Sequence, residues 1–285
     1  VDGSYEYLLS EKEKLKKTGY SVVLLKNKNK TLASGWNLAI KSSNADYVCR
    51  IDAHAEIDSE YVKVGISTLL NERNNKVVAV GGWLKNKSGD SYIERTIAQL
   101  LCSPFGIGNS PVRRPKLNIK VTDTVAYGIY KKKEVIASGL YDESMLRNQD
   151  IDLNYRLHKN GLLFLTHPKM KAIYNVRSSI KKIIIKSYSD GCWVLKTPGK
   201  KIRHIIPFLF IAYLLITIVI TFFGDPKNYY YLAPLLIYLI CCLFFSLKKL
   251  NSTSILLIFL FPAFHISYGM GTLVSLLKTI TKNRL

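Results

Sequence analysis

Three long uncharged stretches in the last third of the chain constrain its folding more than any other feature. Ile205 to Phe223 is 19 residues without a charge, Tyr229 to Leu247 is another 19, and Ile255 to Leu277 is 23 with His265 as its one potentially charged group. A bilayer core of about 30 Å is crossed by roughly 20 apolar residues in a helix, so each stretch is long enough to span. None has a polar face to turn toward water, which separates them from the buried helices of a soluble protein. Residues 204–285 are therefore expected to be a membrane region with two to three transmembrane helices. Pro262, Gly269 and Gly271 interrupt the third stretch. Either it re-enters the membrane, or it crosses and further spans follow.

Charge sets the orientation. The chain has 285 residues, with 41 Lys and Arg against 20 Asp and Glu, a net charge of +21. Lys181, Lys182, Lys186, Lys196, Lys200, Lys201 and Arg203 crowd the approach to the first span, with Asp190 alone against them. The positive-inside rule places the residues before that span in the cytoplasm. The loop 224–228 is then external and Lys248-Lys249 internal; Lys278, Lys282 and Arg284 would be external if the third stretch crosses, against the rule. A balance this basic also suits nucleic acid, but much of the charge flanks membrane spans and no nucleic-acid motif is present. The five cysteines show no CxxC spacing, so neither a zinc site nor a disulfide framework is expected. A composition 48% hydrophobic and 21% charged excludes disorder. The chain opens Val1-Asp2-Gly3-Ser4 with neither an initiator Met nor a signal peptide, and is expected to begin inside a longer protein.

Residues 1–178 alternate strand and helix patterns. Tyr20–Leu25 and Tyr47–Ile51 read as strands, as do Val77–Val80 (closed by Gly81-Gly82), Val125–Tyr130 and Leu162–Thr166. Between them, Thr31 caps a helix with Leu32, Trp36, Ala39 and Ile40 on one face. Ser59–Glu72 repeats that pattern with Val62, Ile66, Leu69 and Leu70, and Gln149–Lys159 is a helix stopped by Asn160-Gly161. Such alternation predicts an α/β fold with a mainly parallel sheet, whose ligands lie outside the carboxyl ends of the strands. Residues 179–203 form a basic amphipathic helix and linker: Ile180, Ile183, Ile184 and Tyr188 share a face that Lys181, Lys182 and Lys186 avoid, which suits the headgroup layer of a membrane.

Polar clusters at strand ends are the candidates for chemistry. Asp52 and His54 follow a strand directly and, if the chain stays extended, point the same way toward one cation, Mn²⁺ or less naturally Mg²⁺. A polar loop in which Asp52 only caps is the alternative. Asn148 is placed to cap the next helix, with Asp150 in its first turn, where it serves either the helix dipole or as a general base. Asp152 points elsewhere. Asp2-Gly3-Ser4 either closes a nucleotide pocket or is an ordinary turn, and His265 reads as a packed or interfacial residue.

The ordered set VDGS at 1–4, KTLASGWNLAI at 30–40, ADYVCRIDAHAEI at 45–57, VGGW at 80–83, SPFGIGNSPVRR at 103–114, VTDTVAYGIYKKKEVIASGLYDE at 121–143, RNQDIDLNYRLHKNG at 147–161 and FHISYGMGTL at 264–273 spans the whole chain. It resembles membrane-associated family 2 glycosyltransferases, most closely the branch that builds succinoglycan-like bacterial exopolysaccharides. The resemblance implies a GT-A (Rossmann-like) fold and an inverting transfer from a nucleotide-diphosphate sugar to a lipid-linked or other saccharide acceptor, at the bacterial inner membrane with the catalytic domain cytoplasmic. It implies that Asp2 contacts the nucleotide base, that Asp52 and His54 hold a divalent cation and the diphosphate, and that Asp150 is the catalytic base. Asp123 and Trp193 fall on the acceptor side. His54 in the last place of the metal motif and Gln149 before Asp150 depart from the general family pattern. Of the processive Q-x-x-R-W motif only Trp193 remains. An earlier strand and a P-x-x-N-E turn that normally precede VDGS are absent, so an isolated piece of residues 1–200 is expected to be unstable. A catalytically inactive membrane scaffold is the competing reading.

Overall fold

The computed structural model describes residues 3–107, 110–113, 115, 117–224, 229–248 and 253–282. Asp2, the 225–228 loop, Lys249 and Arg284, on which parts of the sequence reading fall, lie outside the described residues. In chain order the elements are α1 (Ser4–Lys16), α2 (Leu32–Ser42), β1 (Tyr47–Cys49), β2 (Ala55–Ile57), α3 (Tyr61–Asn71), β3 (Val77–Lys87), α4 (Tyr92–Cys102), α5 (Pro104–Ile107), β4 (Lys120–Thr122), β5 (Ala126–Lys131), α6 (Lys132–Ala137), α7 (Gln149–Lys159), β6 (Leu163–Asn175), α8 (Ile180–Val194), α9 (Ile206–Phe223), α10 (Ala233–Leu247) and α11 (Ser254–Lys282).

The sheet runs β1-β5-β3-β6-β2, with β4 paired to the first half of β6. It is mixed rather than mainly parallel: among the described residues β3 and β6 form the one parallel pair, and the other pairs are antiparallel. One cause is the segment Tyr20–Leu25, expected as a strand. It joins no ladder, and Tyr20 and Val23 stay 74% and 66% exposed. Apolar, β-branched composition favours a strand only where a neighbour receives its backbone N–H and C=O groups.

Local chemistry explains the elements that do form. Thr31 caps α2 by accepting from the Ser34 N–H. The buried face of α2 is Ala33, Ser34, Asn37 and Ile40; Leu32, expected on that face, is 59% exposed because the inward stripe starts one residue later. In α3, Tyr61, Gly65 and Leu69 are buried, while Val62 and Leu70 face out. Gly81-Gly82 does not end β3. The strand continues to Lys87, and four residues of β6 bulge past Gly82, between the pairs Gly81–Thr166 and Trp83–Lys171. A Cβ on Gly82 would sit 1.7 Å from the Met170 carbonyl oxygen, so glycine here permits a close backbone approach.

Strand alternation divides the core. Tyr130 and Phe164 point to the layer formed by α2 and α7, with Ala33, Ile40, Leu153 and Leu157. Their neighbours Ile129 and Leu165 point to the α3 layer, with Tyr61 and Leu69. A third cluster joins Ile97 and Leu100 of α4 and Ile183 of α8 to Cys242 of α10 and Leu257 and Phe261 of α11. The sheet domain and the apolar helices therefore share a core.

Among the described residues, three helical segments are long and apolar enough to cross a membrane: Ile206–Phe223, Tyr230–Leu247 and Ser254–Thr281, with mean hydropathy 2.6, 2.1 and 1.6. Their outward side chains are bare, with Phe222 and Phe223 of α9 78% and 86% exposed, a surface that lipid rather than water accommodates. The third segment is not interrupted. α11 runs through Pro262, Gly269 and Gly271 for 29 residues, about 43 Å. The glycines are instead contact points: a Cβ on Gly271 would lie 2.1 Å from the Tyr188 carbonyl oxygen, and one on Gly269 would lie 2.2 Å from that of Pro207. Gly191 of α8 mirrors the first contact at 2.0 Å from the Tyr268 oxygen. Around this crossing Ser187 donates to the Phe264 carbonyl at 2.7 Å, Ser267 to Ile184 at 2.9 Å, and Thr272 to Gly191 at 3.1 Å. α8 thus meets α11 backbone to backbone through small residues, the packing common between helices in membranes.

Gly191→Leu and Gly271→Leu are each expected to force α8 off α11. The overpacking should cost about 1–3 kcal/mol and lower the thermal midpoint of the detergent-solubilised chain, whereas Ile185→Leu on the exposed face of α8 should leave it unchanged.

Candidate active site

The topology brings two separate stretches to one edge of the sheet. β1, β3 and β6 run in the same direction, because β5 is antiparallel to both β1 and β3 while β6 is parallel to β3. Asp52 lies just past the carboxyl end of β1. α7 feeds β6 through the tight turn at Asn160-Gly161, so it runs back along the strand and its first residues return to the same edge. There α7 is fixed across β5: the Tyr130 hydroxyl donates to Asn154 Oδ1 at 2.8 Å, and Asn154 donates to Thr124 Oγ1 at 3.0 Å.

Arg50 pairs with Asp52, and the charge of Asp150 also acts on it. Its Nε lies 3.3 Å from Asp52 Oδ1, and its guanidinium stacks over the Trp36 ring at 4.1 Å. Burial disfavours the charge, but Asp150 and Asp52 act on it together and hold the Arg50 pKa above its ordinary value. An arginine two residues before Asp52 in an otherwise apolar strand was the available signal for this role, and the sequence reading did not use it.

Tyr127 closes the other side of Asp52. Its hydroxyl donates to Asp52 Oδ2 at 3.3 Å, and burial followed by the Asp52 charge pushes its pKa up. The residue has φ 47°, uncommon for a side chain of this size, and its carbonyl is held by the Tyr61 hydroxyl at 3.0 Å. No sequence pattern marks such a conformation.

His54 does not share the direction of Asp52. The chain turns rather than extending, with the Ala55 N–H donating to the Asp52 carbonyl at 2.9 Å, and the exposed His54 ring packs edge-on against Tyr174 at 5.2 Å. Among the described residues no group of three or more His, Cys, Asp and Glu side chains is placed to hold a metal ion. Asp52 and His54 still supply one carboxylate and one imidazole, donors that suit Mn²⁺ if diphosphate oxygens and water complete the shell. Both Asp52 oxygens are engaged by Arg50 and Tyr127, so ligation requires one of these contacts to yield.

Asp150 opens into a cavity of 560 Å³ between the sheet domain and the apolar helices, also lined by Thr124, Arg203, His204, Phe210 and Tyr268. Asn148 begins α7 in the left-handed conformation, φ 61°, but its side chain does not cap the helix. It reaches outward instead, donating to Thr197 Oγ1 at 3.0 Å in the linker after α8. Gln149 is buried with its amide on the Met145 carbonyl at 2.9 Å. Asp152 pairs with Arg156 at 2.7 Å, and Arg156 also donates to the Ser138 and Leu140 carbonyls, so this carboxylate braces a loop.

The remaining candidates lie around this cavity. Asp123, next to the cavity-lining Thr124, pairs with Lys201 of the linker; burial raises its pKa, but Lys201 outweighs that and holds it low. Trp193 precedes the cavity-lining Val194, and its ring carries Lys196 at 5.3 Å. Beyond Asp150, the charged or imidazole side chains lining the cavity are Arg113, Lys186, Asp190, Arg203, His204 and His265; Lys186 and Arg203 were marked by the sequence only as part of a basic stretch.

Residues 1–136 match the family model described as Glycosyl transferase family 2. Among curated proteins, the chain is 25% identical over 172 residues to the succinoglycan biosynthesis protein ExoA of Rhizobium meliloti (strain 1021), covering 60% of this chain and 51% of that one. The chain thus spans about half the length of that relative. Similar solved structures include GalNAc-T7 with UDP, GalNAc and Mn²⁺, at 13% identity and TM-score 0.44 over 68% of this chain and 43% of that one. Another is S. aureus TarS 1-349 in complex with UDP, at 12% identity and TM-score 0.41 over 95% and 78%. The family match covers residues 1–136 of 285, just under half of the chain, and takes in the segment that carries Asp52.

Proposed function

We propose that the chain is an inverting glycosyltransferase. It moves a sugar from a nucleotide-diphosphate donor to a lipid-linked saccharide acceptor in the synthesis of a bacterial exopolysaccharide or other surface polysaccharide. The observation that carries this reading is Asp150, a carboxylate at the sheet's carboxyl edge that faces a cavity reaching the apolar helices. The succinoglycan name of the Rhizobium relative supports the polymer class. With three helices of spanning length and the basic cluster ahead of α9, the site belongs on the cytoplasmic side of the bacterial inner membrane in a multi-pass protein.

Asp150 takes the proton of the acceptor hydroxyl as that oxygen attacks the anomeric carbon from the face opposite the diphosphate, which inverts the centre. Asp52 is assigned to the donor side, where it and the diphosphate oxygens would hold a divalent cation, Mn²⁺ or Mg²⁺; His54 would have to leave Tyr174 to join them, and the bound cation would supply Lewis-acid stabilisation of the leaving diphosphate. Arg50 adds a fixed positive charge beside Asp52. Asp2 is assigned to the nucleotide base, and Asp123 and Trp193 to the acceptor side. The departure at Gln149 leaves this arrangement whole, because its buried amide serves the Met145 turn and not the cavity.

In membranes supplied with a panel of sugar nucleotides and Mn²⁺, Asp150→Asn should lower turnover by about 10²–10⁴-fold with nucleotide affinity retained. Full turnover in that variant would remove Asp150 as the base. Asp52→Ala should weaken nucleotide-sugar binding and flatten its dependence on Mn²⁺ in a titration. His204 gives a signed pH dependence. Burial first, then the Arg203 and Lys201 charges, hold its pKa down to about 4, against about 6.5 unfolded. Between those values the unfolded chain binds a proton that the native chain does not, so stability falls as pH drops through the window. His204→Gln should reduce the loss of thermal midpoint between pH 7 and pH 4.5.

A further inference from the structure

The cavity beside Asp150 has two unlike walls. Pro207 and Phe210 of α9, Tyr238 of α10, Phe264 of α11 and Phe105 of α5 make one wall apolar, and the first four of these belong to segments of membrane-spanning length. The other wall carries cations. Lys186 is neutralised by Asp190, and across the linker Lys201 is neutralised by Asp123. Two arginines of the lining have, among the described residues, no carboxylate within ion-pair distance. Arg113 is held by the Asn86 side-chain oxygen and lies over the Tyr174 ring, whereas Arg203, half-buried, has no comparable hold.

The contact Arg203 does make is weak. Its Nε donates to His204 Nε2 at 3.2 Å, while the Lys201 N–H points at His204 Nδ1 from 3.3 Å. A neutral imidazole accepts through one nitrogen only, so the two donors compete and the guanidinium is not firmly held. A half-buried arginine without a counter-charge, facing an apolar wall, fits an amphipathic anion. Free saccharides lack the charge, and inorganic phosphate has no use for the wall. The sugar nucleotide belongs to the Asp52 side, and Asp52 does not line this cavity.

We propose that this cavity is the seat of the acceptor's anchor: Arg203 receives the phosphate of a single-chain lipid phosphate, and the chain leaves over Pro207, Phe210 and Phe264 into the bilayer. The volume of 560 Å³ lies within the usual range for small-molecule sites. With the phosphate on Arg203, the first sugar of the acceptor lies toward Asp150, so the charge sets which hydroxyl the base can reach. The identity of the bound lipid as an acceptor rests on the transferase reading; the binding itself does not.

The test uses the full chain in neutral-lipid nanodiscs and measures binding by native mass spectrometry. The probes are a long-chain isoprenyl phosphate, dodecyl phosphate, inorganic phosphate and phosphatidylglycerol. Both single-chain phosphates should bind the wild type, and Arg203→Gln should weaken them at least about tenfold at an unchanged thermal midpoint, with partial retention in Arg203→Lys. Phe210→Ala should weaken the long-chain probe more than inorganic phosphate, which gives a second arm if the Arg203 variants fail to fold. Undiminished binding to Arg203→Gln overturns the proposal. So does equal binding of phosphatidylglycerol at the same site, which would mark an ordinary headgroup contact. Loss of binding in Arg203→Gln without any transferase activity would keep this site and dismiss the enzymatic reading; robust transfer with unaltered lipid binding would do the reverse.

Discussion

The backbone contact of α8 with α11 is the constraint on which the geometry of the candidate site depends. Gly191 against Tyr268 and Gly271 against Tyr188 leave no room for side chains, so the two helices meet at one depth and one rotation. That crossing places Lys186, Asp190 and Val194 along one flank of the cavity, while Gly269 admits Pro207 and brings α9 to another. The cavity is therefore a property of the junction. Neither the sheet domain nor the apolar helices would form it alone, and the shared cluster of Ile97, Ile183, Leu257 and Phe261 keeps the parts together.

Charge is arranged on the same principle of shared partners. Arg50 serves two carboxylates from one position, stacked on Trp36 so that its plane is fixed. An arginine so placed offsets the Asp52 charge, and the Asp150 charge adds to holding it protonated. Tyr127, held in the left-handed region by its neighbours, completes the ring around Asp52, and its positive φ is a strain that the surrounding hydrogen bonds offset.

Much of this was legible in the sequence where a signal is local. The Asn160-Gly161 stop of α7, the Thr31 cap of α2 and the apolar helices follow from turn chemistry, capping and composition, whereas the Asn148 cap expected at the start of α7 does not form. What the sequence hid depends on tertiary partners. Tyr20–Leu25 has the composition of a strand but no ladder to join, and Gly81-Gly82 looked like a terminator because a bulge on β6 cannot be seen from β3. The Asp52–His54 alternation assumed extended chain where a turn forms. α1 is helical with every described side chain at least partly exposed, and the apolar pattern gives no reason to expect it. Arg203 looked like one basic residue among seven; of these, Lys186 and Arg203 line the cavity, and Lys186 is paired with Asp190.

The linker from α8 to α9 is fastened at two points that straddle Asp150. Thr197 takes a hydrogen bond from Asn148, and Lys201 grips Asp123. Its far end enters α9 within a few residues, through the short turn Ile202–His204. A span fastened in this way hands any change in its own depth to the loops beside Asp150, so that carboxylate and the first apolar helix move as one piece.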